Sequence, residues 1–230
     1  MKTKILLFVL VLVCIMSCGK HDEESKEPEG LWYTSSSGSY MDAFVKPDCM
    51  TLSFIKDLTD ARILIDLSGS KAAVYYTYSP VKEEDFDTYK AYSNFYGDSV
   101  YHHAHTMEHS AEGCLMPLKG ISVVADQDFD ENHLAGMELN DLFTISYSRF
   151  YQYIKSGYKP VYGLNAFALD SISELSAIKD VNLFSVRSTL IFKKKPESGK
   201  YKFTISFDFG DDPLTGESFS LPPSSIEVEF

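Results

Sequence analysis

Tyr201-Lys202-Phe203-Thr204-Ile205-Ser206-Phe207-Asp208-Phe209 is the stretch that decides the fold. Every second residue from Tyr201 to Phe209 is aromatic or branched aliphatic, and the four between them are polar. Successive side chains on a strand point to opposite faces, so this period of two places five apolar groups on one side and Lys202, Thr204, Ser206 and Asp208 on the other. A strand with one face in a core and one in water is the reading. Lys194-Lys195-Pro196-Glu197-Ser198-Gly199-Lys200 before it carries a hairpin-loop signal, and Gly210-Asp211-Asp212-Pro213 after it carries another.

Further segments along the chain share this character, being rich in the β-branched and aromatic residues that suit half-buried strands. They are Met50–Ile55, with Met50, Leu52 and Phe54 on one face; Ile63–Leu67, bounded by Ser68-Gly69-Ser70; Ala73–Tyr78, stopped by Ser79-Pro80; and Ile121–Ala125. Ser188–Lys193, Ser218–Leu221 and Ile226–Phe230 complete the set. Helix is a minor component: one turn at Leu139–Phe143 with Asn140 as a possible N-cap, and a weakly helical spacing from Asp170 to Ile178. Phe143–Ile154 satisfies neither period and stays undecided. Many short strands separated by Gly and Pro turns predict a mainly β fold, an antiparallel β-sandwich (Ig-like or related) with one or two short helices. The polar stretch Val81–Leu118 is too long for an ordinary connection; it is expected to hold local structure or to form a surface excursion.

The chain has 230 residues, 44% of them hydrophobic and 14% aromatic, with a formal net charge of −12. That composition supports a packed core and argues against overall disorder. The acidic balance excludes sequence-independent binding to nucleic acid, a term that Lys and Arg supply.

The N-terminus decides the compartment. Lys2 and Lys4 precede the apolar run Ile5–Ile15, which has the length of a secretory h-region and falls short of the roughly 20 residues of a bilayer-spanning helix. Ile15-Met16-Ser17-Cys18 follows and resembles a bacterial lipobox, which implies cleavage before Cys18 and acylation of its sulfur. The alternatives are a retained anchor or an ordinary signal peptide in which Cys18 is incidental. Loss of residues 1–17 removes Lys2 and Lys4, leaving 19 Lys and Arg against 33 Asp and Glu, a formal charge of −14. More than one acyl chain is needed for durable attachment, and a lipobox cysteine carries both thioether- and amide-linked chains. Gly19-Lys20-His21-Asp22-Glu23-Glu24 resembles the short acidic export signal of surface-displayed lipoproteins in Bacteroidetes-type bacteria; read plainly, residues 18–30 are a solvated tether. The expected organisation is a signal peptide over 1–17, a tether over 18–30 and a single β-rich domain over 31–230. The expected location is the outer membrane, facing the cell surface, with a periplasm-facing orientation as the alternative.

Of the four cysteines, Cys14 leaves with the leader and Cys18 is the lipid site. Cys49 and Cys114 then form a candidate disulfide in an oxidising compartment. Closing so long a loop would stabilise the fold by about 4 kcal/mol in the chain-entropy model. The alternative is two separate thiols packed as small hydrophobes.

Ile121-Ser122-Val123-Val124-Ala125-Asp126-Gln127-Asp128-Phe129-Asp130, then His133, Ala135-Gly136 and Leu139-Asn140-Asp141-Leu142-Phe143, are together similar to a pattern in Bacteroidales lipoproteins, a domain family of unknown function. The strand around Phe203-Thr204-Ile205 and the acidic Gly turn after it are similar too. The resemblance spans about half the chain and implies location and fold class. It implies no chemistry.

Candidate sites are few. Tyr101–His109 holds His102, His103, His105 and His109, with Glu108 and Glu112 near. Imidazole and carboxylate suit Zn²⁺, but a site needs three or four converging ligands and the spacing is not that of a His-Glu-x-x-His helix. A solvated His-rich loop is the favoured reading. Asp126-x-Asp128-x-Asp130 begins like a calcium loop but has Met137 where the bidentate Glu belongs, so Asp128 and Asp130 are expected to cap turns. Asp208, Asp211 and Asp212 form a second acidic group. Tyr75, Tyr76, Tyr78, Tyr147, Tyr151, Tyr153, Tyr158 and Tyr162 either stack on sugars or pack in strands, packing being the commoner use. No nucleophile elbow, P-loop or dinucleotide fingerprint is present. The expected role is therefore non-catalytic, without cofactor or assigned metal: binding or envelope assembly with a protein or glycan partner, the bilayer being met through Cys18. A metal- or glycan-dependent hydrolase-like accessory using the His-rich segment is the alternative.

Overall fold

The computed structural model describes residues 41, 44–56, 61–71, 83–98, 112–159, 169–194 and 198–230, all within one unit running from Ser35 to Phe230. The expected leader (1–17) and tether (18–30) with Cys18, the Ala73–Tyr78 segment and His102, His103, His105 and His109 lie outside the described residues. Among the described residues there are eight strands: β1 (Val45–Lys56), β2 (Ala61–Lys71), β3 (Leu118–Ala125), β4 (Phe143–Arg149), β5 (Leu169–Glu174), β6 (Arg187–Phe192), β7 (Lys200–Phe209) and β8 (Ser224–Glu229). They build two antiparallel sheets, one of five strands in the order β1-β2-β6-β4-β5 and one of three in the order β3-β7-β8. The fold is mainly β, as expected, and consistent with a β-sandwich.

The alternation in β7 is what faces the two sheets together. Tyr201, Phe203, Ile205, Phe207 and Phe209 are all buried, each worth about 1.5–3 kcal/mol of apolar transfer. Phe203 meets Phe192 of β6 at 5.5 Å and Phe143 of β4 at 6.2 Å between ring centres, both edge-on. Phe184 stacks over Phe207 and Phe209, each at 6.4 Å. At one side the sheets meet where β1 and β8 approach: Ser224 Oγ donates to the Met50 carbonyl at 2.7 Å, and Phe54 packs on Phe230.

Several local expectations change in the folded chain. Ser68-Gly69-Ser70 is not a turn; β2 runs through it to Lys71 and pairs with β1 back to Val45. A bulge between Pro47 and Cys49 lies opposite, and a Cβ on Gly69 would sit 2.1 Å from the Lys46 carbonyl oxygen. The glycine serves close backbone approach rather than chain reversal. Asp170–Ile178 is not a helix. Its first part is β5, which pairs along Thr144–Arg149 of β4, and only Leu175–Ala177 turns, as a single 3₁₀ turn. Phe143–Ile154, undecided by periodicity, divides into β4 and a short helix, α2 (Tyr151–Lys155). Ser218–Leu221 is not a strand and contributes one bridge, Asp211 to Ser218. β6 and β7, on either side of the expected hairpin loop at Lys194–Lys200, belong to different sheets and do not pair as a hairpin.

The long excursion holds local structure, helix α1 (Glu83–Tyr96). Tyr92 and Tyr96, four residues apart on one helix face, are buried. Gly97 at φ 80° ends the helix, with Asp98 N–H bonded to the Ser93 carbonyl and Gly97 N–H to that of Asn94, the paired bonds of a Schellman cap.

Cys49 and Cys114 are both free, so the bridge expected between them is not made. Val45 of β1, not Cys49, lies beside Cys114. Four residues of extended chain amount to about 13 Å, whereas disulfide-linked Cα atoms stand within about 7 Å. Cys114 is buried, Cys49 is exposed on β1, and burial pushes the Cys114 thiol up to about 12. Among the described residues no helix is long and apolar enough to cross a membrane.

Candidate functional site

The connection from β3 to β4, Asp126 to Leu142, carries Asp126, Asp128, Asp130, Glu131, Glu138 and Asp141 together with His133. Its path is set by carboxylates acting on the backbone. Asp126 N–H bonds to the Lys202 carbonyl at 3.1 Å, and its Oδ1 accepts the Lys202 N–H at 2.9 Å. Asp128 Oδ1 accepts the Ala135 N–H at 2.7 Å, across the loop. Asp130 Oδ1 accepts the Asn132 and His133 N–H groups at 3.0 and 3.1 Å. Asp130 therefore caps a turn, as expected, whereas Asp128 ties the loop across to Ala135, and the three aspartates spend oxygens on separate amides instead of converging. No group of three or more His, Cys, Asp or Glu side chains suited to a metal occurs among the described residues.

His133 closes the loop. Its Nδ1 lies 2.6 Å from Asp130 Oδ1 and its Nε2 lies 3.1 Å from Asp141 Oδ2. Two carboxylate acceptors favour the doubly protonated ring, so the imidazole pKa is raised, chiefly through Asp130 and then Asp141. Asp130 is lowered in return by the same hydrogen bond, with the Asn132 amide and Lys194, 3.5 Å away, adding to it against partial burial. Phe129 anchors the loop from beneath, buried with its ring 6.0 Å from Tyr201. At the far end Asn140, expected to cap its own turn, instead grips β3: Oδ1 accepts the Val123 N–H at 3.1 Å and Nδ2 donates to the Ile121 carbonyl at 2.7 Å. The 3₁₀ turn Asn140–Leu142 is present without a side-chain cap.

The second acidic group is dispersed. Asp208 is exposed, and Asp211 accepts the Ser218 hydroxyl at 3.2 Å. Asp212 is buried and pairs with Lys46 at 2.5 Å, while the Tyr92 hydroxyl donates to the same oxygen at 3.1 Å. Burial opposes the Asp212 charge, but the Lys46 ammonium, the Leu214 amide and the Tyr92 hydroxyl outweigh it and hold the carboxyl below its usual range. Burial and then the Asp212 charge push the Tyr92 hydroxyl well upward. This trio ties β1, α1 and the segment after β7 together, a structural use. Tyr147, Tyr153 and Tyr158 are buried packing groups, and Tyr151 lies beneath Lys155; Tyr75, Tyr76, Tyr78 and Tyr162 lie outside the described residues.

A shallow open concavity of about 390 Å³ lies beside the loop, lined by Asp126, Lys200, Lys202, Glu227 and Glu229 among others. Its Lys and Glu residues face each other across β7 and β8, Lys200 opposite Glu229 and Lys202 opposite Glu227. Such cross-strand charge pairs are what a solvated sheet face presents. Sequence reading missed His133 as the loop's clasp, and it missed the exposed pair Leu134 and Met137 at the loop's tip. The signal available for the pair was an apolar Leu-Ala-Gly-Met run inside an acid-rich segment. No protein-family model matches this chain, and no curated protein and no solved structure gives a significant match.

Proposed function

We propose that this chain is a lipoprotein, acylated at Cys18, that holds a β-sandwich at the outer membrane for binding or assembly with a protein or glycan partner, without catalysis of its own. The observation that carries the reading is the order Lys2, Lys4, the apolar run Ile5–Ile15 and then Ser17-Cys18. The charges, the apolar length and the small residue before the cysteine together match what lipid attachment and leader removal require. The acidic residues after Cys18 support display at the cell surface, with a periplasm-facing position as the alternative. The domain suits a binding role because the connection Asp126–Leu142 is held in one shape by backbone-directed carboxylates and so offers a pre-formed surface.

Cells fed a labelled fatty acid test the anchor. Wild-type protein should take up the label and sediment with membranes; Cys18→Ala should lose both the label and the sedimentation. Unchanged labelling of the variant overturns the reading. For the alternative role, metal content is decisive. Stoichiometric metal on the purified chain, lost in His103→Ala/His105→Ala/His109→Ala, would move the function to a metal-dependent accessory.

A further inference from the structure

We propose that the turn Leu134-Ala135-Gly136-Met137 is a docking knob for a protein partner that offers an apolar socket rimmed by Lys or Arg; this rests on the reading of the domain as a binding module. Leu134 and Met137 are 51% and 47% exposed, brought together because the Met137 N–H bonds to the Leu134 carbonyl at 2.9 Å across a tight turn. Gly136 sits at φ 78° in the third position of that turn, where glycine is favoured.

The knob is held from every side. Gly136 N–H reaches the Ala125 carbonyl at 2.8 Å and Leu139 N–H that of Val123 at 2.8 Å, while Asp128 takes the Ala135 N–H. Phe129 and Leu139 are buried at its two roots, and His133 clasps Asp130 to Asp141. Two large apolar side chains are thus displayed on a backbone already ordered, so binding would cost little further conformational entropy.

Charge selects the occupant. From Asp126 to Asp141 there are six acids and no Lys or Arg. Asp128, Glu131 and Glu138 form no ion pair among the described residues. An anionic lipid surface would be repelled by this rim, and so would the same knob on a second copy of the chain. A socket with a cationic rim is attracted, steered in and held in register.

The test uses the full chain in the cells that make it, with the photo-cross-linker benzoylphenylalanine replacing Met137 or, as control, Ser225 on the outer face of β8. Support requires a protein adduct from position 137 about fivefold stronger than from position 225, reduced about fivefold by Glu131→Lys/Glu138→Lys and weakened as NaCl rises from about 0.05 to about 0.5 M. The partner peptide must carry Lys or Arg beside apolar residues. Absence of an adduct, an adduct indifferent to charge reversal, or a partner peptide without basic residues overturns the proposal. So does binding of the purified chain to vesicles of equal parts phosphatidylethanolamine and phosphatidylglycerol that is lost in Leu134→Ser/Met137→Ser. Glu138 Oε1 also accepts the Asn140 amide, so Glu131→Lys alone, an exposed change outside the clasp that should melt as wild type does, must weaken the adduct in the same direction; an unchanged adduct overturns the proposal. Cys18→Ala run in parallel separates the two readings: loss of acylation governs the anchor, and a charge-dependent adduct governs the knob.

Discussion

His133 has a carboxylate at each ring nitrogen, and that arrangement makes the loop's stability depend on pH. Its folded pKa is raised, so its contribution is full below the unfolded value near 6.5 and is lost as pH climbs through the folded value. Asp130 is shifted the other way, so its contribution is full above the unfolded value near 4 and is lost as pH falls through the folded one. The clasp is therefore complete from about pH 4 to about pH 6.5. Urea midpoints of wild type and His133→Gln should differ most in that window and converge toward pH 9; a difference that does not change with pH would remove the imidazolium from the account. At the same scale Asp212, though one of three acids in five residues, has a different fate from Asp208 and Asp211, because only it is buried against Lys46 and Tyr92. Nothing in the spacing of those acids announces which one the core will take.

The pairing of β1 with β2 depends on one missing side chain. Gly69 faces the Pro47–Cys49 bulge, where a Cβ would overlap the Lys46 carbonyl and approach Asp48 N and Pro47 Cα at 2.8 Å. Gly69→Ala should destabilise the domain by about 1–3 kcal/mol, as overpacking of close backbone does, read as a lower urea midpoint with secondary structure intact; an unchanged midpoint would contradict the tight approach. Ser-Gly-Ser reads as a turn in sequence because glycine serves turns and close approaches alike, and only the partner strand distinguishes them. The same limit applies to Asp170–Ile178. Its capping residue and loose spacing suit a short helix, yet Thr144–Arg149 offers a row of backbone partners, and the ladder wins over weak local preference.

Phe203 touches rings from both sheets, Phe143 and Phe192 on one and Tyr201 on its own strand, and is fully buried. Phe203→Ala should cost about 3–5 kcal/mol, the loss of a large core ring with the cavity left behind. It should lower the melting transition of the whole domain as one step; a separate early transition for three-stranded β3-β7-β8 would mean that the sheets do not share this core. The cysteines also belong to this scale. A pair of cysteines invites a bridge on count alone, but Cys114 enters beside Val45, and β1 carries Cys49 away along its length.

The sequence alone determined that Tyr201–Phe209 is a strand with one buried face, that the chain is mainly β, and that Asp130 works on a turn. Each follows from periodicity or from the reach of a short side chain, interactions complete within a few residues. Only the tertiary structure decided that Gly69 lies within a strand, that Cys49 and Cys114 stand apart, that Asn140 grips β3, and that Leu134 and Met137 are raised on a clasped acidic loop. Those outcomes depend on which distant segment arrives alongside, and the pairing of distant segments is set by burial of the whole core rather than by any local preference.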